Sequence, residues 1–160
     1  MAKILILYYS KTGNTEKMAQ EIVKGILVEN VEATVKSVEE TDCEELLDYD
    51  GIIVGSPTYF GAPAWEIKKL FDDSVKFYGK LIGKVGGAFT SSANIAGGNE
   101  TTILSILQMM LIHGMIVQGT TEGGHYGPAA IGNPDEKTLK ECRNLGKRVA
   151  ILVKKLKGEK

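Results

Sequence analysis

The feature that most constrains this fold is an alternation of five short apolar runs with longer amphipathic stretches. The runs are Ile4 to Tyr9, Ala33 to Val38, Gly51 to Gly55, Lys84 to Thr90 and Met115 to Gln118. Short continuous apolar runs are typical of strands buried on both faces, and parallel strands are usually joined by crossover helices. The alternation predicts an α/β protein, a three-layer sandwich in which helices cover both faces of a five-stranded parallel sheet.

Helical patterns fill the stretches between these runs. Apolar residues from Met18 to Ile26 recur at helical spacing, and Pro63 suits the first position of a second helix. The remaining predicted helices are Glu100 to His113, which Gly114 would cap, Asp135 to Lys155, and a weaker one over Cys43 to Leu47.

Length and composition narrow the class of protein. The 160 residues predict one domain, residues 1–160, and the 20 acidic and 19 basic residues give a net charge of −1. We therefore expect no nucleic-acid partner, and no membrane partner because no run approaches the roughly 20 apolar residues of a membrane span. The two cysteines, Cys43 and Cys142, form no CxxC pair, so they predict neither a disulfide nor a metal site and indicate a cytoplasmic protein.

In a doubly wound sheet the ligand lies beyond the carboxyl ends of the strands, where the strand order reverses. The segment after the first predicted strand consists of Ser10, Lys11, Thr12, Gly13, Asn14 and Thr15, and it leads directly into a helix. Hydroxyls, an amide and backbone N–H groups at a helix N-terminus suit a phosphate dianion. The alternative is a simple helix cap by Asn14 or Thr15.

Other phosphate-binding motifs do not fit this sequence. No G-x-G-x-x-G follows a predicted strand, and the nearest P-loop candidate, residues 79–84, has the wrong spacing and is followed by Val85 instead of Ser or Thr. The ends of the first and third strands also lack the acidic residues of a phosphoacceptor site.

Two more segments follow predicted strands at the same edge. The first contains Pro57, Thr58, Tyr59, Phe60 and Gly61, whose adjacent aromatic rings suit a ligand wall or, alternatively, a plug over the core. The second contains Ser91, Ser92, Ala93, Asn94, Gly97 and Gly98 and is uncharged until Glu100, which suits a polar but neutral ligand edge. Taken alone, such a segment is usually just a loop.

Together the three segments resemble the flavodoxin-like FMN proteins and, within them, the WrbA-type NAD(P)H:quinone oxidoreductases. The matching motifs are Tyr8 to Glu16, Pro57 to Gly61, Phe89 to Ser91, Gly97 to Thr102, His113 to Met115 and Tyr126 to Pro128. The resemblance implies the strand order 2-1-3-4-5.

The same resemblance implies roles for particular residues. Residues 10–15 would hold the FMN phosphate, residues 58–60 would flank the isoalloxazine, and residues 91–98 would hold its polar edge. Tyr126 would belong to the cofactor site, and His113 would be a catalytic residue near the flavin. From the residues alone, His113 is equally well a helix cap.

The sequence also departs from the WrbA pattern. Two connections are shorter than in the WrbA type, namely Glu39 to Tyr49 and the loop after Val117. The family has a tryptophan at the position of the segment Val75 to Tyr78, and it usually has an aromatic residue at the position of Thr12. The FMN site therefore carries over more fully than the NAD(P)H and quinone sites.

The functional hypothesis is an FMN-dependent oxidoreductase that reduces quinones with two electrons from NAD(P)H. It follows from the resemblance and from the scarcity of acids in the three loops, since acids beside the ring would oppose negative charge on the reduced flavin. The alternatives are a flavodoxin-type electron carrier and an FMN-binding regulatory module. The resemblance and the apolar third helix further predict a homo-oligomer, either a dimer or a tetramer.

Overall fold

The strands and helices alternate along the chain in the computed structural model, which describes residues 1–159. The strands are β1 (Lys3–Tyr8), β2 (Glu32–Ser37), β3 (Gly51–Tyr59), β4 (Ala62–Pro63), β5 (Val85–Ser92), β6 (Ile116–Val117) and β7 (Ala129–Ile131). The helices are α1 (Asn14–Leu27), α2 (Trp65–Asp73), α3 (Asn99–Ile112) and α4 (Glu136–Lys157). Short 3₁₀ helices span Val38–Glu40, Cys43–Asp48 and Ser74–Phe77.

The main sheet is parallel, with the order β2-β1-β3-β5-β6. These are the five predicted strands, and their order confirms the predicted 2-1-3-4-5 arrangement. The fifth position is shared between two short strands, because β6 pairs with Val85 and Gly86 whereas β7 pairs with the last three residues of β5. β7 and β4 are not apparent in the hydrophobic pattern, since each has only two or three residues.

Two apolar clusters lie on opposite faces of this sheet. Ile4 and Ile6 of β1 pack with residues of α1 and α4, whereas Leu5 and Leu7 pack with residues of α2 and α3. A strand buried on both faces must be apolar at every position, which explains the continuous runs in the sequence. The three-layer architecture is confirmed.

The segment after the third strand differs from its prediction. Pro63 lies in β4, where it pairs antiparallel with Thr58, and α2 begins at Trp65. β3 continues to Tyr59 and turns back through Phe60 and Gly61, which have positive φ angles of 50° and 77°. A β-hairpin therefore replaces the predicted loop, and the helix begins two residues later than predicted.

Two kinds of feature are absent from residues 1–159. None of the helices within residues 1–159 has the length and apolar character needed to cross a membrane. The same residues contain no group of three or more His, Cys, Asp or Glu side chains placed to hold a metal ion.

Candidate functional site

The three sequence-predicted segments meet at one edge of the sheet. They follow β1, β3 and β5, which are neighbouring parallel strands, so their carboxyl ends lie side by side. The Thr15 hydroxyl lies 2.9 Å from that of Ser91, and the Thr58 hydroxyl lies 2.9 Å from that of Thr90. The structure thus joins the first segment to the third and the second segment to β5.

The first segment leaves the N-terminus of α1 open. Gly13 adopts a left-handed conformation with φ of 98°, its N–H donates to Ser10 Oγ at 3.1 Å, and no side chain caps the helix. No atom lies within 4 Å of the position that a Gly13 side chain would take, and Lys11 and Thr12 are exposed. The helix-cap alternative for Asn14 or Thr15 is therefore wrong, and the backbone here is free to receive an anion.

The hydroxyls of Thr15 and Ser91 form a buried pair beneath this opening, with only 1% and 7% of the two residues exposed. A hydroxyl carries one proton. The bond between the two uses a single proton, so the second proton remains available for a ligand oxygen.

The hairpin after β3 is fixed by a chain of hydroxyl groups. Thr90 Oγ1 donates to the Ser56 carbonyl at 2.7 Å, so the Thr58 hydroxyl is the donor in its bond to Thr90. The Ser56 hydroxyl accepts the Ala64 N–H at 2.8 Å and so ties the returning strand down. Pro57 pairs with Ser91 in the sheet register, which places the hairpin beside the third segment.

The aromatic residues of the hairpin form an open wall. Tyr59 is 41% exposed and packs edge-on against Tyr9 with 6.3 Å between ring centroids, and Phe60 is fully exposed. The core-plug alternative is therefore wrong for Phe60. An aromatic ring held in solvent by a backbone with positive φ is well placed to contact a planar ligand.

The third segment closes one side of the site through a contact between glycines. A Cβ on Gly98 would lie 2.5 Å from Gly61 Cα, so the backbones of the loop and the hairpin touch directly. The Thr101 hydroxyl lies 2.8 Å from the Gly61 carbonyl and 2.9 Å from that of Gly98, so it bridges the two segments.

The rest of the third segment is a turn. Both the Ser92 hydroxyl and the Gly97 N–H donate to the Asn94 carbonyl, at 3.0 and 3.2 Å respectively. Ala93, Asn94 and Gly97 are exposed. No charged residue occurs between β5 and Glu100, so the turn presents backbone groups, amides, small side chains and the exposed side chain of Ile95.

One carboxylate lies beside the aromatic wall. Burial raises the pKa of Tyr59, and the Glu66 carboxylate raises it further. Desolvation and the same carboxylate also raise the pKa of Tyr9. Both phenols therefore stay protonated at neutral pH, and Glu66 places a negative charge close to both rings.

Tyr126 lies beyond the third segment, in the loop between β6 and β7. It is half-exposed and lines a cleft of about 170 Å³ together with Asn99 and Ile103 at the start of α3. The structure thus places Tyr126 beside the exit of the 91–98 segment.

His113 does not join the other predicted residues. It caps the C-terminus of α3, whereas Gly98 precedes the N-terminus, and this helix of 14 residues is about 21 Å long. Within a single chain the structure does not place His113 beside the three segments, and its catalytic role near the flavin stays a prediction. The reason is topological, because a crossover helix returns the chain to the amino ends of the strands.

The surroundings of His113 are those of a structural side chain. Its Nε2 lies 2.7 Å from the Ser74 hydroxyl, which donates to the Phe71 carbonyl at 2.6 Å, so Nε2 carries the proton. The rings of Phe71, Phe77 and Tyr78 surround the imidazole, and burial lowers the pKa of His113. His113 therefore connects α3 to the 74–77 turn as a neutral side chain.

The fold and the site together define a doubly wound protein that binds a phosphate-bearing aromatic cofactor at its switch point. The family model "Flavodoxin" matches residues 6–100. A flavodoxin of Aquifex aeolicus is 40% identical over 159 residues, covering 94% of this chain and 86% of the relative. The chain belongs to the flavodoxin family.

Relatives with enzyme names are similarly close. An NAD(P)H dehydrogenase (quinone) of Archaeoglobus fulgidus is 37% identical over 190 residues, covering 98% of this chain and all of the relative. The solved structure of a WrbA-like flavodoxin from Agrobacterium tumefaciens superposes with a TM-score of 0.82 at 29% identity, covering 97% of this chain and 99% of that protein.

The family cofactor is FMN, and the residues of this chain fit it. The uncapped N-terminus of α1 and the spare proton of the Thr15–Ser91 pair suit a phosphate monoester. The exposed rings of Tyr59 and Phe60 suit one face of a flavin, and the uncharged 91–98 segment suits its neutral polar edge.

Proposed function

We propose that this protein is an FMN-dependent oxidoreductase that reduces quinones with electrons from NAD(P)H. The observation that carries the proposal is the open aromatic wall of Tyr59 and Phe60 beside a segment with no charge between residues 91 and 99. Such a site offers a planar apolar acceptor a surface to stack on and no carboxylate in that segment to repel electron-rich groups.

The residues that would hold FMN are those of the three segments. The phosphate is bound by the first segment, which consists of Ser10, Lys11, Thr12, Gly13, Asn14 and Thr15. The ring is flanked by Pro57, Thr58, Tyr59, Phe60 and Gly61. The polar edge of the ring is surrounded by Ser91, Ser92, Ala93, Asn94, Gly97, Gly98 and Tyr126. When bound, FMN supplies the transfer of a hydride or of single electrons. The chain contributes binding and orientation, and it excludes water from the covered face of the ring.

The charge distribution supports acceptance of a full hydride equivalent. The backbone N–H groups of the 91–98 segment are dipoles that favour negative charge on a neighbouring ligand, and the segment carries no carboxylate to oppose it. The Glu66 carboxylate lies close to Tyr9 and Tyr59, whose pKa values it raises.

A second candidate is a flavodoxin-type electron carrier without its own NAD(P)H site. The alignment with the A. fulgidus dehydrogenase extends over 190 positions although this chain has 160 residues, whereas the alignment with the A. aeolicus flavodoxin extends over 159. The loop lengths of this chain thus favour the carrier.

The proposal includes a cytoplasmic location and a homo-oligomeric state. Both cysteines, Cys43 and Cys142, are buried and unpaired, as is common in a reducing compartment. Burial raises the pKa of the Cys142 thiol to about 12, so it stays protonated and inert.

One assay separates these functions. We expect the FMN-loaded protein to oxidise NADH or NADPH catalytically when a benzoquinone is present. Phe60→Ala should weaken FMN binding and, measured at saturating FMN, should still lower kcat/KM for the quinone about tenfold because the stacking surface is lost. Trp65→Ala, which removes an exposed ring outside the hairpin, should leave kcat/KM for the quinone unchanged.

The other outcomes have distinct meanings. Rapid electron exchange with a separate reductase, without turnover of the nicotinamide by the protein alone, would identify the carrier. FMN binding with neither activity would identify a regulatory module. Either result would overturn the enzyme proposal.

A further inference from the structure

Arg148 of α4 is a cation without a counter-charge in the described chain. The sequence has two arginines. The guanidinium of Arg143 pairs with Glu21 and Glu136, at 2.6 Å in each case, whereas Arg148 forms no salt bridge within residues 1–159. Burial lowers the pKa of Arg148, and no carboxylate offsets that effect. Since a guanidinium stays protonated in proteins, Arg148 is a partly buried positive charge that lacks an ionic partner.

Most of the hydrogen-bonding capacity of Arg148 is unused. A guanidinium has five N–H donors. The Nε group donates to the Gln118 carbonyl at 3.3 Å, which anchors the chain directly after β6. The four N–H groups on the two Nη atoms have no acceptor in the part of the chain that the structure describes. They form the planar fork that binds carboxylates and phosphates through two parallel hydrogen bonds.

Arg148 borders a cleft of about 360 Å³ between α4 and the loop that follows β6. The walls include Gln118 and Thr120 from the loop and Lys147, Arg148 and Ile151 from α4. None of the lining residues belongs to the three segments of the FMN site. The volume is that of a small-molecule site.

Hydrogen bonds between Thr120 and His125 close the loop wall of this cleft. The Thr120 N–H donates to the His125 carbonyl at 3.2 Å, and His125 Nδ1 donates to the Thr120 carbonyl at 2.9 Å. The Thr120 hydroxyl accepts the Glu122 N–H at 3.2 Å, so its own proton is free for a ligand. The loop therefore contributes a hydroxyl donor whose position is already fixed.

Two cations and one carboxylate line the cleft, which gives the lining a net charge of +1. The cations are Lys147 and Arg148, and the carboxylate is that of Glu122, an exposed loop residue. Lys147 Nζ lies 3.8 Å from Glu29 Oε1, which is too far for a hydrogen bond. A second carboxylate, that of Glu141, lines only an adjoining cavity of about 20 Å³, which has room for a water molecule. The charge of the cleft favours an anion.

We propose that this cleft binds a small molecule through a phosphate monoester. The fork of Arg148 binds two phosphate oxygens, Lys147 supplies a second positive charge, and the Thr120 hydroxyl donates a further hydrogen bond. A phosphate monoester carries nearly two negative charges at neutral pH, so it matches two cations better than a carboxylate does. Ile151, which is 47% exposed, offers an apolar contact to the organic part of the ligand. The inference does not rest on quinone reduction, because a carrier and an enzyme would present the same cleft.

Calorimetric titration of the FMN-loaded protein with phenyl phosphate tests the site, because bound FMN already occupies the phosphate site at α1. We expect Arg148→Gln to weaken the binding of phenyl phosphate at least tenfold, since it removes hydrogen bonds between charged groups. Lys140→Gln, which removes an exposed charge of the same helix outside the cleft, should leave the affinity unchanged. Glu122→Gln should raise the affinity about threefold, because it removes a carboxylate from the lining.

Three comparisons define the chemistry that the cleft recognises. Inorganic phosphate should bind more weakly than phenyl phosphate, since it lacks the apolar group that contacts Ile151. Benzoate should also bind more weakly, since it carries a single negative charge. Arg148→Lys should lose most of the affinity for phenyl phosphate, because an ammonium keeps the charge but not the planar fork. Tighter binding of benzoate than of phenyl phosphate would overturn the assignment to a phosphate.

The kinetics of nicotinamide oxidation separate two sources of the phosphate. If the 2′-phosphate of NADPH occupies the cleft, Arg148→Gln should raise KM for NADPH about tenfold and leave KM for NADH unchanged. If a separate phosphorylated metabolite occupies it, both KM values should stay at those of the wild type while the affinity for phenyl phosphate falls.

Two results would overturn the inference. The first is a wild-type protein that binds no phenyl phosphate at millimolar concentration. The second is equal affinity of the wild type and Arg148→Gln, which would leave Arg148 only the role of anchoring the loop at Gln118. Urea unfolding checks that Arg148→Gln is folded. If it is not, Glu122→Gln decides the question, because an unchanged affinity in that variant would exclude an anion from the cleft.

Discussion

The hydroxyl of Thr15 lies 2.9 Å from the hydroxyl of Ser91, although the two residues are 76 positions apart in the chain. One stands in the first turn of α1 and the other near the end of β5, and both are buried. This contact locks the phosphate-loop segment to the 91–98 segment. A ligand that fills one of them is therefore positioned relative to the other.

Thr15→Val should weaken FMN binding. The substitution keeps the size of the side chain but removes the Thr15 hydroxyl, which is both a donor to the phosphate and the partner that orients the Ser91 hydroxyl. A hydrogen bond to a charged group is worth about 1.5–3 kcal/mol. We expect a roughly ten- to hundredfold rise in Kd, measured by fluorescence titration of the apoprotein. Thr121→Val, at an exposed threonine outside the three segments, is the matched control. Equal affinity of both variants would refute the assigned phosphate site.

Gly98→Ala should destabilise the protein more than Gly79→Ala. Both glycines have positive φ, 99° and 86°, so each variant incurs about 1–2 kcal/mol of left-handed strain. At position 98 the new Cβ also meets Gly61 Cα at 2.5 Å, whereas position 79 is open. Overpacking typically adds 1–3 kcal/mol. Urea unfolding of the two variants should show that difference, and equal losses would mean that the loop contact is unimportant.

His113 should make stability depend on pH below neutrality. Burial lowers its pKa in the native state, so as the pH falls below about 6.5 the unfolded chain takes up a proton that native His113 does not. The free energy of unfolding should therefore decrease between pH 7 and pH 5. His113→Asn should reduce this slope, while His125→Asn, at an exposed position, should keep it. Identical slopes in urea unfolding would show that His113 is charged in the native protein.

Asn94→Asp should slow reduction of the bound flavin by NAD(P)H. A carboxylate in the uncharged segment would oppose negative charge on the reduced ring by an amount on the order of 1 kcal/mol, or about fivefold in rate. The flavin midpoint potential should fall in parallel. Asn144→Asp, on the exposed side of α4, provides the same charge change far from the segment. If both variants reduce at the wild-type rate, the 91–98 segment does not border the ring.

Much of the site was predictable because its chemistry is local. Residues 10–15 had to lie at the N-terminus of a helix, since a strand ends at Tyr8 and an amphipathic pattern starts soon after it. The absence of charged residues from Ser91 to Gly98 could likewise be read directly from the sequence. The place of Glu66 beside Tyr9 and Tyr59 could not be predicted, because it depends on where the hairpin directs α2.

The hairpin itself could not be predicted. Pro63 has the local preferences of a first helical residue, yet it lies in β4 because the Ser56 hydroxyl binds the Ala64 N–H across the turn. The position of His113 relative to the three segments could not be predicted for a similar reason. A motif does not show where its residues lie relative to other segments of the chain. The 14 residues of α3 place His113 at the opposite end of the sheet from Gly98.

The sequence by itself determined the layers and the chemical character of the three loops, and its resemblance to the flavodoxin-like proteins implied the order of the main strands. A strand that is buried on both faces is apolar at every position, so it is recognisable as a continuous apolar run. A phosphate-binding turn consists of residues that are adjacent in the chain, so its composition is also recognisable. The tertiary structure decided which loops touch, through Thr15 with Ser91 and Gly61 with Gly98, and which of the two arginines is paired with carboxylates. Those outcomes depend on distances between residues far apart in the chain, and no local preference encodes them.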